Sequence, residues 1–135
     1  YGYGDKKSYE NIKIKKKLNN IFFKKFDNKL KDKIKNYDLL LHLSKREGLP
    51  VSVMECLSEG LPVICFNIRG NNDLIKDFYN GFFVNSYKEV ANKILFLNLN
   101  KEVYNKMRFN SVYSITKNFS KKKINEKIFN IIKKI

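Results

Sequence analysis

The feature that most constrains this chain is a punctuated run from Asp38 to Phe66. It opens with Asp38-Leu39-Leu40-Leu41-His42-Leu43, a nearly continuous apolar stretch of strand length. Continuous rather than alternating apolarity suits a parallel strand covered on both faces. After the polar Ser44-Lys45-Arg46-Glu47-Gly48-Leu49, Pro50 fits the first position of a helix, where its missing N–H would have no helical partner anyway. Gly60 fits the C-terminal cap, so the spacing predicts a helix from Pro50 to Glu59. Pro62-Val63-Ile64-Cys65-Phe66 then reads as a second strand. Strand, turn, helix, strand is a βαβ unit, which demands a parallel sheet.

The flanking sequence extends that pattern. Tyr1-Gly2-Tyr3-Gly4-Asp5 reads as the end of a strand breaking into a glycine turn, and Lys6 to Leu18 as a lysine-rich surface helix. Ile21-Phe22-Phe23 is short, aromatic and β-branched, which suits a buried strand with Lys24-Lys25-Phe26 at its exit. Asp27 or Asn28 can cap a helix carrying Leu30 and Ile34 on one face and closing at Tyr37. Downstream, Arg69-Gly70-Asn71-Asn72-Asp73 is a turn leading into a short helix through Lys76. Asn80-Gly81 is another turn, followed by a last strand at Phe82-Phe83-Val84. Ser86–Leu99, Lys101–Thr116 and Ser120–Ile135 carry apolar residues at helical spacing. The expected fold is α/β, with a Rossmann-like parallel sheet of about five strands, flanking helices and a helical C-terminal tail. Residues 1–98 would form the Rossmann-like domain and 99–135 a helical extension packed on it.

At 135 residues and 43% apolar content the chain can bury one real core. No apolar run approaches the roughly 18–20 residues that span a bilayer. The formal net charge of +15 favours polyanionic or phosphorylated partners. The lysines are nevertheless scattered along almost every expected helix, which reads as solvated faces and compositional bias. Cys56 and Cys65 lack zinc-site spacing, and His42 cannot complete one, so no metal is expected. The thiols read as buried and free, in keeping with a reducing cytoplasm. His42, alone in an apolar run, reads as packed rather than catalytic.

The chemistry concentrates between Leu43 and Glu55. In open α/β sheets ligands lie outside the carboxyl ends of the strands, where helix N-termini point. The unpaired N–H groups of the first helical turn and the positive end of the helix dipole favour an anion such as phosphate. Gly48 lets a ligand approach the backbone, and Lys45 and Arg46 add charge nearby. Glu47 and Glu55 would repel phosphate and so need another task. A carboxylate only accepts hydrogen bonds, and its two oxygens suit a pair of adjacent hydroxyls. Phosphate donors beside diol acceptors describe a nucleotide sugar. On spacing alone, an ordinary solvated or salt-bridged role for Glu55 stands beside this reading.

Glu47-Gly48-Leu49-Pro50-Val51-Ser52-Val53-Met54-Glu55, continuing into Gly60-Leu61-Pro62-Val63-Ile64, resembles the signature of glycosyltransferase family 4, retaining enzymes of the GT-B fold. Ser44, Gly70-Asn71 and Asn80-Gly81-Phe82 match the family's usual run, and the resemblance covers roughly Tyr1 to Val84. It implies that the chain is a partial C-terminal, donor-binding half of a GT-B architecture. Glu47 and the Gly48, Leu49, Pro50 and Val51 backbone would then hold the donor's sugar and phosphates, and Glu55 its ribose. Lys24, Lys25 and Phe26 fall where the family places the base. Arg69-Gly70-Asn71 is open to two readings, a cleft wall or a structural turn. Cys56 stands where the family usually has alanine. The extra strand and helix with the basic diphosphate-binding pair, and the acceptor-binding N-terminal domain, have no counterpart in these 135 residues.

The resemblance thus implies a hexosyltransferase-type fragment in polysaccharide biosynthesis, inactive in isolation, whose substrates are a nucleotide sugar and a glycan or lipid-linked acceptor. No cofactor, metal, catalytic base or nucleic acid partner is expected. The expected partners include the missing N-terminal domain of the same protein and anionic membrane at its periphery. The expected location is cytoplasmic, extending to the inner face of the membrane. Two alternatives remain at this point: a basic non-enzymatic domain for nucleic acid or anionic membrane, and another GT-B-like enzyme such as an epimerase.

Overall fold

A computed structural model of the chain describes residues 6–24 and 27–133. Contacts divide it into two compact units, Tyr1–Asp32 and Lys33–Ile135. The expected glycine turn at Tyr1–Asp5 lies outside the described residues, as do Lys25 and Phe26.

The first unit holds helix α1 (Lys6–Lys15). It ends on Lys17 in the left-handed region (φ +52°), where Leu18 N–H donates to Lys13 C=O and Lys17 N–H to Ile14 C=O. Ile21-Phe22-Phe23 is not a strand. Phe22 is 71% exposed, with Lys13 and Lys24 ammonium groups 5.4 and 5.9 Å from its ring centre. Three apolar residues flanked by lysines can be met by cation–π contacts at the surface as well as by a sheet. A short helix α2 (Leu30–Lys33) and a 3-10 turn (Ile34–Asn36) follow. The chain approaches α2 through an Asx turn, in which Lys29 N–H donates to Asp27 Oδ1 at 2.8 Å.

The second unit is an α/β sandwich around strands β1 (Leu40–His42), β2 (Val63–Phe66) and β3 (Gly81–Val84). They are parallel, in the order β1-β2-β3, with Leu40 beside Val63 and Val63 beside Gly81. The described sheet therefore has three strands rather than about five. Of the expected strands, Ile21–Phe23 does not join it, and the strand end expected within Tyr1–Asp5 lies outside the described residues. Helix α3 (Val51–Ser58) crosses from β1 to β2, and the short α4 (Asn71–Leu74) lies between β2 and β3. Helices α5 (Tyr87–Leu99), α6 (Lys101–Phe119) and α7 (Lys121–Ile132) complete the unit.

Alternation along β2 explains the layering. Val63 and Cys65 join Val53, Leu57, Leu74 and Ile75 in one buried cluster, with Ile115 and Phe119 packed against it. Ile64 points the other way, into a second cluster with Phe82, Val84, Val90, Leu97 and Met107. A central parallel strand covered on both faces must be apolar throughout, and β2 is. At β1 that expectation holds only in part. With β2 as its one neighbour, β1 leaves Leu41 43% exposed. α6 contributes to both clusters, Met107 to one and Ile115 and Phe119 to the other, so it acts as a brace along the sheet.

Polar contacts, some buried and some exposed, fix the connections. Asn80 Nδ2 donates to Leu74 C=O and Ser114 Oγ, while its Oδ1 accepts from Lys76 N–H. Tyr104 Oη donates to Asp38 C=O. These bonds tie the segments entering β1 and β3 to α6.

Candidate functional site

Because β1 and β2 are paired and parallel, the loops leaving their carboxyl ends lie side by side. The loop after β1 runs through Glu47 and Gly48 to Pro50. Pro50 is the N-cap of α3 (φ −73°, ψ 108°) rather than its first helical residue, so the helix begins one residue later than the spacing predicts. Its carbonyl accepts from Val53 and Met54 N–H. The N–H groups of Val51 and Ser52 find no acceptor among the described residues. They leave a positive, unsatisfied helix start beside the loop.

The far end of α3 closes as expected. Gly60 (φ +77°) sits just past the helix, Gly60 N–H donates to Leu57 C=O and Leu61 N–H to Cys56 C=O. That is a Schellman motif. Arg108 Nε on α6 donates to Gly60 C=O, adding positive charge at the helix's negative end.

The loop after β2 is clamped by Asn71, fully buried, whose Nδ2 donates to Phe66 C=O at 2.9 Å. Gly70 (φ +87°) packs on the first loop so closely that an added Cβ would overlap the Gly48 carbonyl oxygen. The two loops therefore form one backbone platform. Of the two readings of Arg69-Gly70-Asn71, both apply in part: Arg69 faces the cleft, while Gly70 and Asn71 are buried and structural.

That cleft, about 750 Å³, is lined by Glu47, Gly48, Leu49, Arg69, Asp73 and Phe119. Three expected site residues thus share one concavity. Pro50 is buried beneath the loop and Val51 is 64% exposed at the helix start. Glu55 follows Val51 by one helical turn and is partly buried. It is not part of the cleft lining, and its carboxylate makes no hydrogen bond or ion pair among the described residues. Lys24 lies in the first unit, over Phe22. Asp73 and Phe119 were not singled out by sequence. Asp73 offers no motif, and Phe119 arrives from 70 residues beyond Leu49 through the fold of α6.

Glu47 has one protein neighbour of opposite potential charge. Its Oε1 lies 3.1 Å from His42 Nε2, with the two side chains 27% and 13% exposed. The distance is that of an ion pair, but the angle does not make a hydrogen bond, so Nε2 is buried without a hydrogen-bond partner. Among the described residues no cluster of three His, Cys, Asp or Glu side chains is placed to hold a metal. No described helix is long and apolar enough to cross a membrane.

A three-layer parallel α/β unit whose strand ends carry an acidic loop, a free helix start and a basic neighbour belongs to the class of domains that bind ligands at a sheet's carboxyl edge. More narrowly, residues 1–111 match the family of glycosyl transferases group 1, and the chain belongs to that family. It is 27% identical over 115 residues to a Staphylococcus aureus poly(ribitol-phosphate) alpha-N-acetylglucosaminyltransferase, covering 83% of this chain and 23% of that protein. It is 41% identical over 51 residues to the Escherichia coli UDP-Gal:alpha-D-GlcNAc-diphosphoundecaprenol alpha-1,3-galactosyltransferase, covering 38% of this chain and 13% of that one. The chain thus spans less than a quarter of either relative. In fold it is similar to Anabaena HepE, crystallised in complex with UDP. The TM-score is 0.87 at 21% identity, covering 96% of this chain and 36% of that one. The family and the GT-B-like fold agree with the resemblance read from Glu47–Glu55.

Proposed function

We propose that this chain is the C-terminal, donor-binding part of a retaining glycosyltransferase that moves a sugar from a nucleotide carrier to a glycan or lipid-linked acceptor. One observation carries the reading. Glu47, Gly48 and Leu49, at the threshold of α3, share a cleft with Arg69. Within it, Glu47 accepts hydrogen bonds from the sugar hydroxyls. The exposed N–H groups at the start of α3 and the Arg69 guanidinium meet the phosphates. Glu55, without a protein partner on the helix that begins there, accepts from the ribose. The Escherichia coli relative uses UDP-Gal and HepE was crystallised with UDP, which makes uridine the first nucleotide to try. Lys24, Lys25 and Phe26 contact the base.

Catalysis by such a part is positioning and charge stabilisation of the leaving diphosphate, with no protein nucleophile and no metal called for. Acceptor binding falls to a second domain of the same protein. A bacterial-type polysaccharide, built at the inner membrane face, fits the acceptors named for the relatives.

The test is saturable binding of UDP-sugars to the complete protein. Glu47→Ala and Glu55→Ala should each weaken it on the order of tenfold, the loss of a hydrogen bond to a charged group. Donor binding unchanged in both variants would overturn the site assignment. Binding to any polyanion, steeply salt-dependent and indifferent to Glu47→Ala, would instead mark a basic surface with no donor site.

A further inference from the structure

We infer that His42 is a positioning residue for Glu47, and that it sets how strongly the site recognises the sugar part of its donor. The inference deepens the proposed function and rests on it.

His42 is the last residue of β1, paired in register with Cys65 at the sheet's carboxyl edge. Its backbone is therefore held by the sheet, and its ring is largely enclosed. A buried imidazole nitrogen without a hydrogen bond is costly unless something uses it. Among the described residues its ion-pair neighbour is Glu47 Oε1 at 3.1 Å. The other end of the contact is equally fixed. Gly70 packs against the Glu47-Gly48 backbone, where an added Cβ would overlap Gly48 C=O and touch Glu47 C=O. The carboxylate is thus suspended between a rigid strand end and a rigid loop, with one oxygen at the imidazole. Its Oε2 has no partner among the described residues and remains available to a ligand in the cleft that Glu47 lines.

The chemistry follows from donors and acceptors. An ionised carboxylate accepts only, so the contact is attractive when Nε2 carries a proton, in the imidazolium or in the Nε2–H tautomer. A proton donated to Oε1 restricts the rotation of the carboxyl group and presents Oε2 to the sugar hydroxyls. The present angle falls short of a hydrogen bond, and contacts of this kind commonly tighten only in the ligand complex. Exposed charges on the same loop, Lys45 and Arg46, and Arg69 and Asp73 across the cleft, modulate the field around Glu47. None of them is within ion-pair distance of it.

The prediction separates sugar recognition from nucleotide recognition. UDP and UDP-glucose serve as probes with the complete protein, and the quantity read is the ratio of their dissociation constants. His42→Leu fills the half-buried site without a proton donor and should reduce the UDP-glucose preference on the order of tenfold, with UDP affinity unchanged. His42→Gln, which can donate an amide N–H, should recover most of the loss. In a Glu47→Ala background, His42→Leu should have no further effect, because its action runs through that carboxylate. Equal weakening of UDP and UDP-glucose by His42→Leu, with a lowered melting temperature, would show a merely structural histidine and overturn the inference. So would additive losses in the double variant. If the wild-type protein binds neither probe nor any other UDP-sugar, the donor-site reading itself fails, and the inference with it.

Discussion

Cys56 and Cys65 illustrate how far a side chain's chemistry is set by what surrounds it. Burial, and to a lesser degree the neighbouring Glu55 charge, pushes the Cys56 thiol from 9.0 up to about 11. Burial, with a smaller contribution from Asp77, pushes Cys65 up to about 12. Both thiols therefore stay protonated, and poorly nucleophilic, at neutral pH. In the unfolded chain they ionise near their ordinary value, so above pH 9 the unfolded state holds fewer protons than the folded one. Stability must then fall as pH rises from about 9 towards 11 and 12, and is unaffected by these groups below pH 9. Urea melts at pH 8, 9.5 and 10.5 should show the decline, and Cys65→Ala should flatten it. Iodoacetamide at pH 8 should label neither thiol in the folded protein and both in urea. Rapid labelling of Cys56 in the native state would contradict its burial beside Leu57.

At the scale of elements, two glycines with similar positive φ do different work. Gly60 ends α3 with φ +77°, and an added Cβ there meets Arg108 and Val112 at ordinary contact distances of 3.5 Å. Gly60→Ala costs about 1–2 kcal/mol, the strain of a left-handed alanine. Gly70 combines φ +87° with the overlap onto Gly48, which only a movement of the whole loop can relieve. Gly70→Ala should cost roughly 3–5 kcal/mol and weaken donor binding as well, because Glu47 moves with the loop. Urea denaturation and UDP-sugar binding on the two variants separate the cases; Gly70→Ala with normal binding would show that the platform is not needed. Only the first of these roles is legible in the sequence. Pro50 and Gly60 bracket α3 to within a residue because capping is local chemistry. The Gly48–Gly70 contact, the Phe119 wall and the His42–Glu47 pair join residues that only the folded sheet brings together. Ile21–Phe23 errs for the same reason: a three-residue apolar run has strand composition, and whether a neighbouring strand exists is decided elsewhere in the chain. Glu47 stood out in the sequence because it borders the loop–helix unit that lines the cleft, whereas His42 beside it read as a packed residue of an apolar strand.

For the whole molecule the distribution of burial is uneven in a way that makes a last prediction. No described residue of the first unit, 1–32, is buried, and its larger apolar side chains include Ile14 at 74% and Phe22 at 71% exposure. Both buried clusters draw only on residues from Ile34 onward, the size range in which a single core is self-sufficient. The cooperative transition should therefore belong to residues 33–135. A chain beginning at Lys33 should unfold in urea in one step, with a midpoint within about 0.5 M of the full chain and a slope of about 1–2 kcal/mol per molar. Far-UV circular dichroism should lose only the signal of α1 and α2 before the transition begins. The same truncation should preserve the Gly48–Gly70 platform, since every residue that builds it lies downstream of the cut. A much lower midpoint, or a broad uncooperative melt, would mean that the first 32 residues complete the core in solution.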